Sequence, residues 1–358
     1  MLTVAVVIPC HNEEETLLAT CRSLGFGDRA RPTPDQAVLV LVDNASDDAT
    51  REVAEAVRRA SPSGTVVVGA ESERGYVPAR RRGNTLVGAL AEERGLPFDD
   101  VLILQADADT VYSGGYVDAM REGSAAGGGG AMIEGLAEFP PGFRSSYPGY
   151  ARLMSDIDTD LFERAVPSGL PDLIVDDKAC GYRLGAYTDW GGHAPEFTAA
   201  GEEVYAETTR LYLRGVSRGA TKLRTERAVA YPSQRRPIAA PARELACGGF
   251  PRVRSWQAAW DAGYTGPSTS EGLSASLELS EVGRAVLARK NHVLGLFALL
   301  PIHVSRSLGS APLPGVPGWL ASALTRLPQR SRHELETSPA LFLNDVFVEV
   351  DAGFADQV

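Results

Sequence analysis

Cysteine is scarce. The 358 residues hold four, Cys10, Cys21, Cys180 and Cys247, widely spaced, with no C-x-x-C pair and no nearby His in a zinc-like pattern. A structural zinc site and a disulfide scaffold are thereby excluded, and the thiols read as buried core residues. Basic charge is also short: 35 Lys and Arg face 46 Asp and Glu, for a net charge of −11 and a pI near 5.1. That balance argues against a surface built to neutralise a nucleic-acid backbone. No apolar run reaches the roughly 20 residues of a membrane span. The longest, Val293 to Val304, is interrupted by Pro301 and is expected to be a helix packed on the core. Without a Lys-rich flank or Trp anchor, peripheral membrane contact there is the weaker reading. There is no fixed-period repeat, and no low-complexity tract beyond the glycines of Gly123 to Gly130. The N-terminus runs directly into Val4–Ala5–Val6–Val7–Ile8 with no basic leader pattern, so the expectation is a cytoplasmic protein.

What is present is an alternation of apolar runs and helical segments. Val4 to Ile8, Ala37 to Val42, Thr65 to Gly69 and Val101 to Leu104 read as buried strands, the first ended by Pro9. Between them, Glu13 to Leu24, Ala49 to Ala60 and Arg80 to Arg94 have helix composition. Alternating β and α elements predict a doubly wound, parallel α/β sheet, whose ligands bind beyond the carboxyl ends of its strands. Asn12, Asp43, Asp107 and Asp109 all follow strand ends and are expected to converge on one crevice. The glycines of Gly123 to Gly130 are expected to end a helix begun at Tyr116, near Arg121, and to join it to a strand around Ala131 to Glu134. From Pro140 to Pro171 the pattern is loop then helix. Beyond Pro237 the alternation stops, and helices are expected over Gly272 to Arg289 and Asn291 to Ser307.

The sharpest chemical signal is Asp107–Ala108–Asp109 directly after a strand. Two carboxylates two residues apart can share a hard divalent cation, Mn2+ or Mg2+, that neutralises a leaving diphosphate. A bare D-x-D occurs often by chance, so its position carries the weight. Two Arg clusters, Arg80–Arg81–Arg82 and Arg235–Arg236, stand out against the acidic background. They read either as solvated runs or as partners for a compact anion.

Several motifs occur in order: VVIPCHNEEETL from Val6, VDNASDDAT from Val42, GYVPARRRG from Gly75, LQADADT from Leu104, and GEE from Gly201. Over roughly the first 215 to 250 residues the chain resembles the family 2 glycosyltransferases of GT-A fold. The resemblance implies a Rossmann-like mixed sheet at 1–237, with a nucleotide-sugar half at 1–115 and an acceptor-side half at 116–237. Residues 238–358 would follow as a mostly helical extension. It implies a metal-dependent, inverting transfer from a nucleoside diphosphate sugar, UDP before GDP, to an acceptor hydroxyl that the sequence does not identify.

Carried over residue by residue, the resemblance puts Pro9, Glu13, Asp43, Arg80 and Asp107 around the donor, and Asp109 with Asp107 on the metal. Arg235 and Arg236 resemble a segment closing over the diphosphate. Glu203, with Glu202 beside it, stands where the catalytic base is expected, although the family base is usually Asp and spacing to Arg210 and Gly215 is one residue longer than usual. Their plainer reading is a charge pair at a helix N-terminus. Arg81 stands where the family usually has Asn. Asp189, Trp190 and His193 fall on the acceptor side, Trp190 either stacking on a sugar or packing in the core, His193 either a third metal ligand or structural. Two rivals stay open. A sugar-phosphate nucleotidyltransferase is disfavoured because the loop Pro9 to Glu13 has no glycine to wrap a triphosphate. A non-catalytic nucleotide-sugar-binding protein is the other.

Overall fold

The computed structural model describes residues 2–27, 34–198, 200–247, 253–265, 279–310 and 316–351. It divides into two compact units. The first comprises Met1–Glu138, Val175–Pro195 and Ala206–Ser233; the second comprises Phe139–Ile174, Glu196–Tyr205 and Gln234–Val358.

The first unit is an eight-stranded sheet: β1 (Thr3–Cys10), β2 (Ala37–Asp43), β3 (Val66–Ala70), β4 (Val101–Gln105), β5 (Thr110–Tyr112), β6 (Ala131–Ala137), β7 (Cys180–Arg183) and β8 (Thr221–Pro232), in the order β3-β2-β1-β4-β7-β6-β8-β5. The helices of this unit are α1 (Leu17–Ser23), α2 (Thr50–Ala60), α3 (Tyr76–Glu93), α4 (Tyr116–Gly127), α5 (Leu184–Asp189) and α6 (Glu207–Val216). β1, β2, β3 and β4 are parallel, as the alternation predicts, while β7 runs antiparallel to both β4 and β6. The sheet is thus mixed, and the fold of this unit is α/β. Every residue of β2 and β4 is buried, which is why they read as unbroken apolar runs.

Three local expectations change. β1 does not stop at Pro9, which pairs with Val42, because β4 has already left the ladder at Val7 and asks no N–H of the proline. α4 does not stop near Arg121 but runs to Gly127. Its glycines are a packing device: a Cβ on Gly123 would lie 2.7 Å from Ile133 Cδ1, and one on Gly127 would lie 2.2 Å from Leu223 Cδ1. β8, a largely polar 12-residue strand, had no apolar signature to announce it.

The second unit is mostly helical. The longest segment runs through Leu279–Leu294, a π-helical turn at Gly295–Leu299, and Leu300–Ser307. Residues 272–278, the start of the expected Gly272 helix, lie outside the described residues. Pro301 does not interrupt this segment, as its sequence suggests, because the π turn just before it re-registers the carbonyls that an α-helix would press against the proline ring. By length and composition Val282–Ser307 could cross a membrane, but 78% of its most apolar window is buried inside the protein. Two of its buried polar groups are paired within the unit: Arg289 Nε donates to Asp158 at 2.8 Å, and His303 Nε2 lies 3.1 Å from Asp345 Oδ2. A core helix is the better description.

Candidate active site

β1 is the point where strand order reverses, with β2 on one side and β4 on the other. In doubly wound sheets the binding crevice opens there, past the carboxyl ends. The register brings Asp43 level with Cys10, and Gln105 level with Val7, so the loops after β1, β2 and β4 leave the same edge together.

Those loops are tied to one another. Asn12 and Ala45, both with left-handed backbone (φ 56° and 53°), turn the loops after β1 and β2. Asn12 N–H donates to Ser46 Oγ at 3.1 Å, and Asp47 N–H donates to Asn12 Oδ1 at 2.8 Å. Asp43, buried, accepts the Ser46 N–H at 3.2 Å, a local side-chain-to-backbone bond that orients its carboxylate. Pro9 and Glu13 line the same edge, where the Glu13 carboxylate accepts the Thr16 hydroxyl at 2.6 Å. Asn44 fastens the loop leading to α3, donating to the carbonyls of Glu71 and Glu73.

The D-x-D loop is held on three sides. Thr20 of α1 donates to the Ala108 carbonyl at 2.9 Å. Asp107 N–H donates to the Tyr112 hydroxyl at 3.1 Å, and that hydroxyl donates to the Lys178 carbonyl at 2.9 Å. Asp107 and Asp109 stay half-buried. Among the described residues, no group of three or more His, Cys, Asp or Glu side chains is clustered to hold a metal by itself. Two carboxylates suit a cation of Mg2+ or Mn2+ type that completes its shell with water and phosphate oxygens.

Arg80, which the motif resemblance puts around the donor, stands beside Asp107. Buried on α3, it gives three of its five N–H groups to side chains: Nη2 donates to Asp107 Oδ1 at 2.8 Å, Nε to Glu207 Oε1 at 2.9 Å, and Nη1 to Gln105 Oε1 at 3.0 Å. Burial opposes its charge, but Asp177, Asp107 and Glu207 outweigh that and hold its pKa well above the ordinary range. Arg81 and Arg82 are exposed, and Arg81 lies 3.5 Å from Glu73.

Glu207, Thr208 and Asp177 are the residues that sequence reasoning missed. Glu207 opens α6 after Ala206, which is left-handed at φ 66° and turns the chain into the helix. Asp177 sits next to Lys178, whose carbonyl is tied to Asp107 through Tyr112. Burial and the Glu207 carboxylate push Asp177 up to about 7, against Arg80 and a hydrogen bond from Thr208. Its Oδ1 is buried with no hydrogen-bond partner. Only the DD pair in VDDKACGYR could have drawn attention to it.

Trp190 and His193 are corrected. Trp190 is buried, and a Cβ on Gly215 of α6 would lie 2.7 Å from its ring, so it packs in the core rather than on a sugar. His193 is buried with both ring nitrogens engaged: Asn84 Nδ2 is 3.2 Å from Nδ1, and Thr208 Oγ1 is 3.1 Å from Nε2, which leaves no lone pair for a metal. Burial, then the nearby Arg80, Arg214 and Arg210, hold His193 neutral, well below its usual pKa. Arg214 Nε donates to the Trp190 carbonyl and Arg210 Nη1 to that of Ala194, both at 2.9 Å, so α6 clamps the His193 loop. Asp189 is exposed at the end of α5.

The remaining expected residues lie in the second unit. Glu202 accepts the Ser255 N–H at 3.2 Å and its hydroxyl at 2.6 Å, and Glu203 forms an antiparallel bridge with Phe197. Neither opens a helix: α6 begins at Glu207. Arg235 and Arg236 are exposed at the start of the short helix Arg235–Ala239.

The family model described as Glycosyl transferase family 2 matches residues 5–120, the stretch holding Asp43, Arg80, Asp107 and Asp109. Over this stretch the chain is similar to the family 2 glycosyltransferases. No curated protein sequence matches it. Among solved structures the chain is similar to the mannosyltransferase PcManGT from Pyrobaculum calidifontis in complex with GDP-Man and Mn2+, at 15% identity and TM-score 0.46, over 97% of this chain and 86% of that one. It is similar to S. aureus TarS 1-349 at 13% identity and TM-score 0.42, over 98% and 91%. Glucosyl-3-phosphoglycerate synthase from Mycobacterium tuberculosis, in complex with Mn2+, UDP-Glc and glycerol 3-phosphate, shares 16% identity at TM-score 0.37, over 65% and 73%.

Proposed function

We propose that this glycosyltransferase moves a sugar from a nucleoside diphosphate sugar, UDP ahead of GDP, to an acceptor hydroxyl with inversion at the anomeric carbon. The observation that carries the reading is the meeting of Asp43, Asp107 and Asp109 at the carboxyl edge beside β1, within the family-matched stretch. Asp43, oriented by Ser46, suits the base; Pro9 and Glu13 suit the wall of the base and ribose pocket. Asp109 and Asp107 would hold Mn2+ or Mg2+, which supplies charge neutralisation for the leaving diphosphate. Arg235 and Arg236 remain the proposed closing contacts to that diphosphate.

Inverting transfer needs a carboxylate to take the acceptor proton as the new bond forms. Glu203 is the proposed base and Glu202, whose carboxylate accepts the Ser255 N–H and hydroxyl, the next choice. Glu203→Gln is expected to retain donor binding and lose about 10²- to 10⁴-fold in kcat. Unchanged turnover in that variant reassigns the base, and Asp177→Asn is then the variant to assay. A purely binding role is separated by donor cleavage: Mn2+-dependent release of UDP or GDP from the sugar nucleotide, reduced to background in Asp109→Ala, supports an enzyme. Tight donor binding without any cleavage or transfer supports the rival.

A further inference from the structure

Arg80 lies at one end of a buried hydrogen-bond circuit. Its Nη1 donates to Gln105 Oε1; Gln105 Nε2 donates to Asn84 Oδ1 at 3.0 Å and to the Tyr182 hydroxyl at 2.7 Å. Asn84 Nδ2 lies 3.2 Å from His193 Nδ1 and, as an amide N–H, donates to it. With Nδ1 accepting, the neutral ring carries its proton on Nε2, which donates to Thr208 Oγ1. The Thr208 hydroxyl in turn serves Asp177, whose charge acts back on Arg80. Gln105, Asn84, His193, Thr208 and Arg80 are all buried. Each link has a defined donor and acceptor, so the circuit has one direction and holds Arg80 in one pose.

Donor binding and positioning make opposite demands on that guanidinium. A diphosphate ligand needs N–H groups aimed at the crevice. Here three of its five N–H groups, one each on Nη2, Nε and Nη1, already serve different side chains, and Arg80 keeps only 5% of its surface exposed. Releasing it toward a phosphate would leave Glu207 buried without its cation, a costly exchange.

We propose that Arg80 is a positioning residue that fixes Asp107 for its metal through this circuit and makes no contact with the donor diphosphate. The inference rests on the metal assignment to Asp107 and Asp109. Groups that orient a ligating carboxylate typically change metal affinity by about 10- to 100-fold when altered.

The test is made on the full chain by direct titration with Mn2+ alone, and by calorimetry with UDP and with GDP in EDTA. Arg80→Lys keeps the positive charge but loses the three-way fork. It is expected to weaken Mn2+ binding by about 10- to 100-fold while leaving metal-free nucleotide affinity within about twofold of wild type. Glu207→Gln, which removes the charge from one arm, moves Mn2+ binding the same way by a smaller factor and serves should Arg80→Lys fail to fold. Thr208→Val, at the far end of the circuit, does likewise. Unchanged Mn2+ affinity in the folded variants overturns the proposal. So does a nucleotide affinity in EDTA that falls as far as the Mn2+ affinity, because that is the mark of a diphosphate contact. A wild-type protein that binds Mn2+ but neither nucleotide defeats the donor reading instead, while the Mn2+ titrations still decide the role of Arg80.

Discussion

Single residues of this site are ruled by the balance of charge around Arg80. One guanidinium faces three carboxylates, Asp107, Glu207 and Asp177, and Asp177 with its unpartnered Oδ1 is the one that burial raises to about 7. An ordinary Asp titrates near 3.9, so between about pH 4 and 7 the folded protein binds this proton more tightly than the unfolded chain. The contribution of Asp177 to stability is therefore fullest below about pH 4 and is lost as pH rises through about 7. His193, depressed by burial, works in the opposite sense, adding stability as pH rises toward its unfolded pKa near 6.5. The comparison of variant with wild type isolates the Asp177 part. Asp177→Asn is expected to gain melting temperature relative to wild type at about pH 7.5 compared with about pH 4.5, and a constant difference across that range contradicts the assignment. Sequence reasoning reached Asp43, Asp107 and Asp109 because short motifs after strands mark them. It missed Asp177 and Glu207 because their significance lies in a contact: Arg80 and Glu207 stand 127 positions apart in the chain.

Elements place these side chains through close packing that leaves little slack. α3, which carries Arg80 and Asn84, rests on β1 at Gly83, where a Cβ would stand 2.3 Å from Val7 Cγ1. Gly83→Ala has to push the helix away from the strand, and is expected to cost about 1–3 kcal/mol in denaturant unfolding. Because the shift displaces Arg80, Mn2+ affinity should fall with it, and a fully stable Gly83→Ala protein would show that the helix has room to move. β1, β2 and β4 were legible because burial on both faces turns them into continuous apolar runs. β8 was not, since Thr221–Pro232 carries Lys222, Arg224, Glu226 and Arg227 and shows no clean alternation. The long glycine tract misled for a physical reason: glycine weakens an isolated helix, yet Gly123 and Gly127 let α4 lie close to Ile133 and Leu223. Trp190 and His193 were placed near the acceptor by sequence order, but two arginines of α6 draw their loop inward by its carbonyls.

At the scale of the whole chain, the stretch that matches the family 2 glycosyltransferase model, residues 5–120, lies within one compact unit, and a second, mostly helical unit is assembled from three separate stretches of sequence. The chain-order reading placed all residues beyond 237 in an extension. Contacts instead group 139–174 and 196–205 with the C-terminal helices, a partition that no local pattern announces. Glu202 and Glu203 belong to that second unit, while Asp43, Asp107 and Asp109 belong to the first. The donor half of the proposed reaction can therefore be tested without knowing the acceptor. The most direct measurement is the thermal stability of the full chain with UDP- and GDP-sugars, with and without Mn2+, for wild type and Asp109→Ala. A ligand at about 100 times its Kd adds about 2.7 kcal/mol to the folded state. The proposed function predicts that one of these sugar nucleotides raises the melting temperature of the wild type, that Mn2+ enlarges the rise, and that Asp109→Ala loses the Mn2+-dependent part. No stabilisation by any of them, or an unchanged Mn2+ effect in Asp109→Ala, would contradict it.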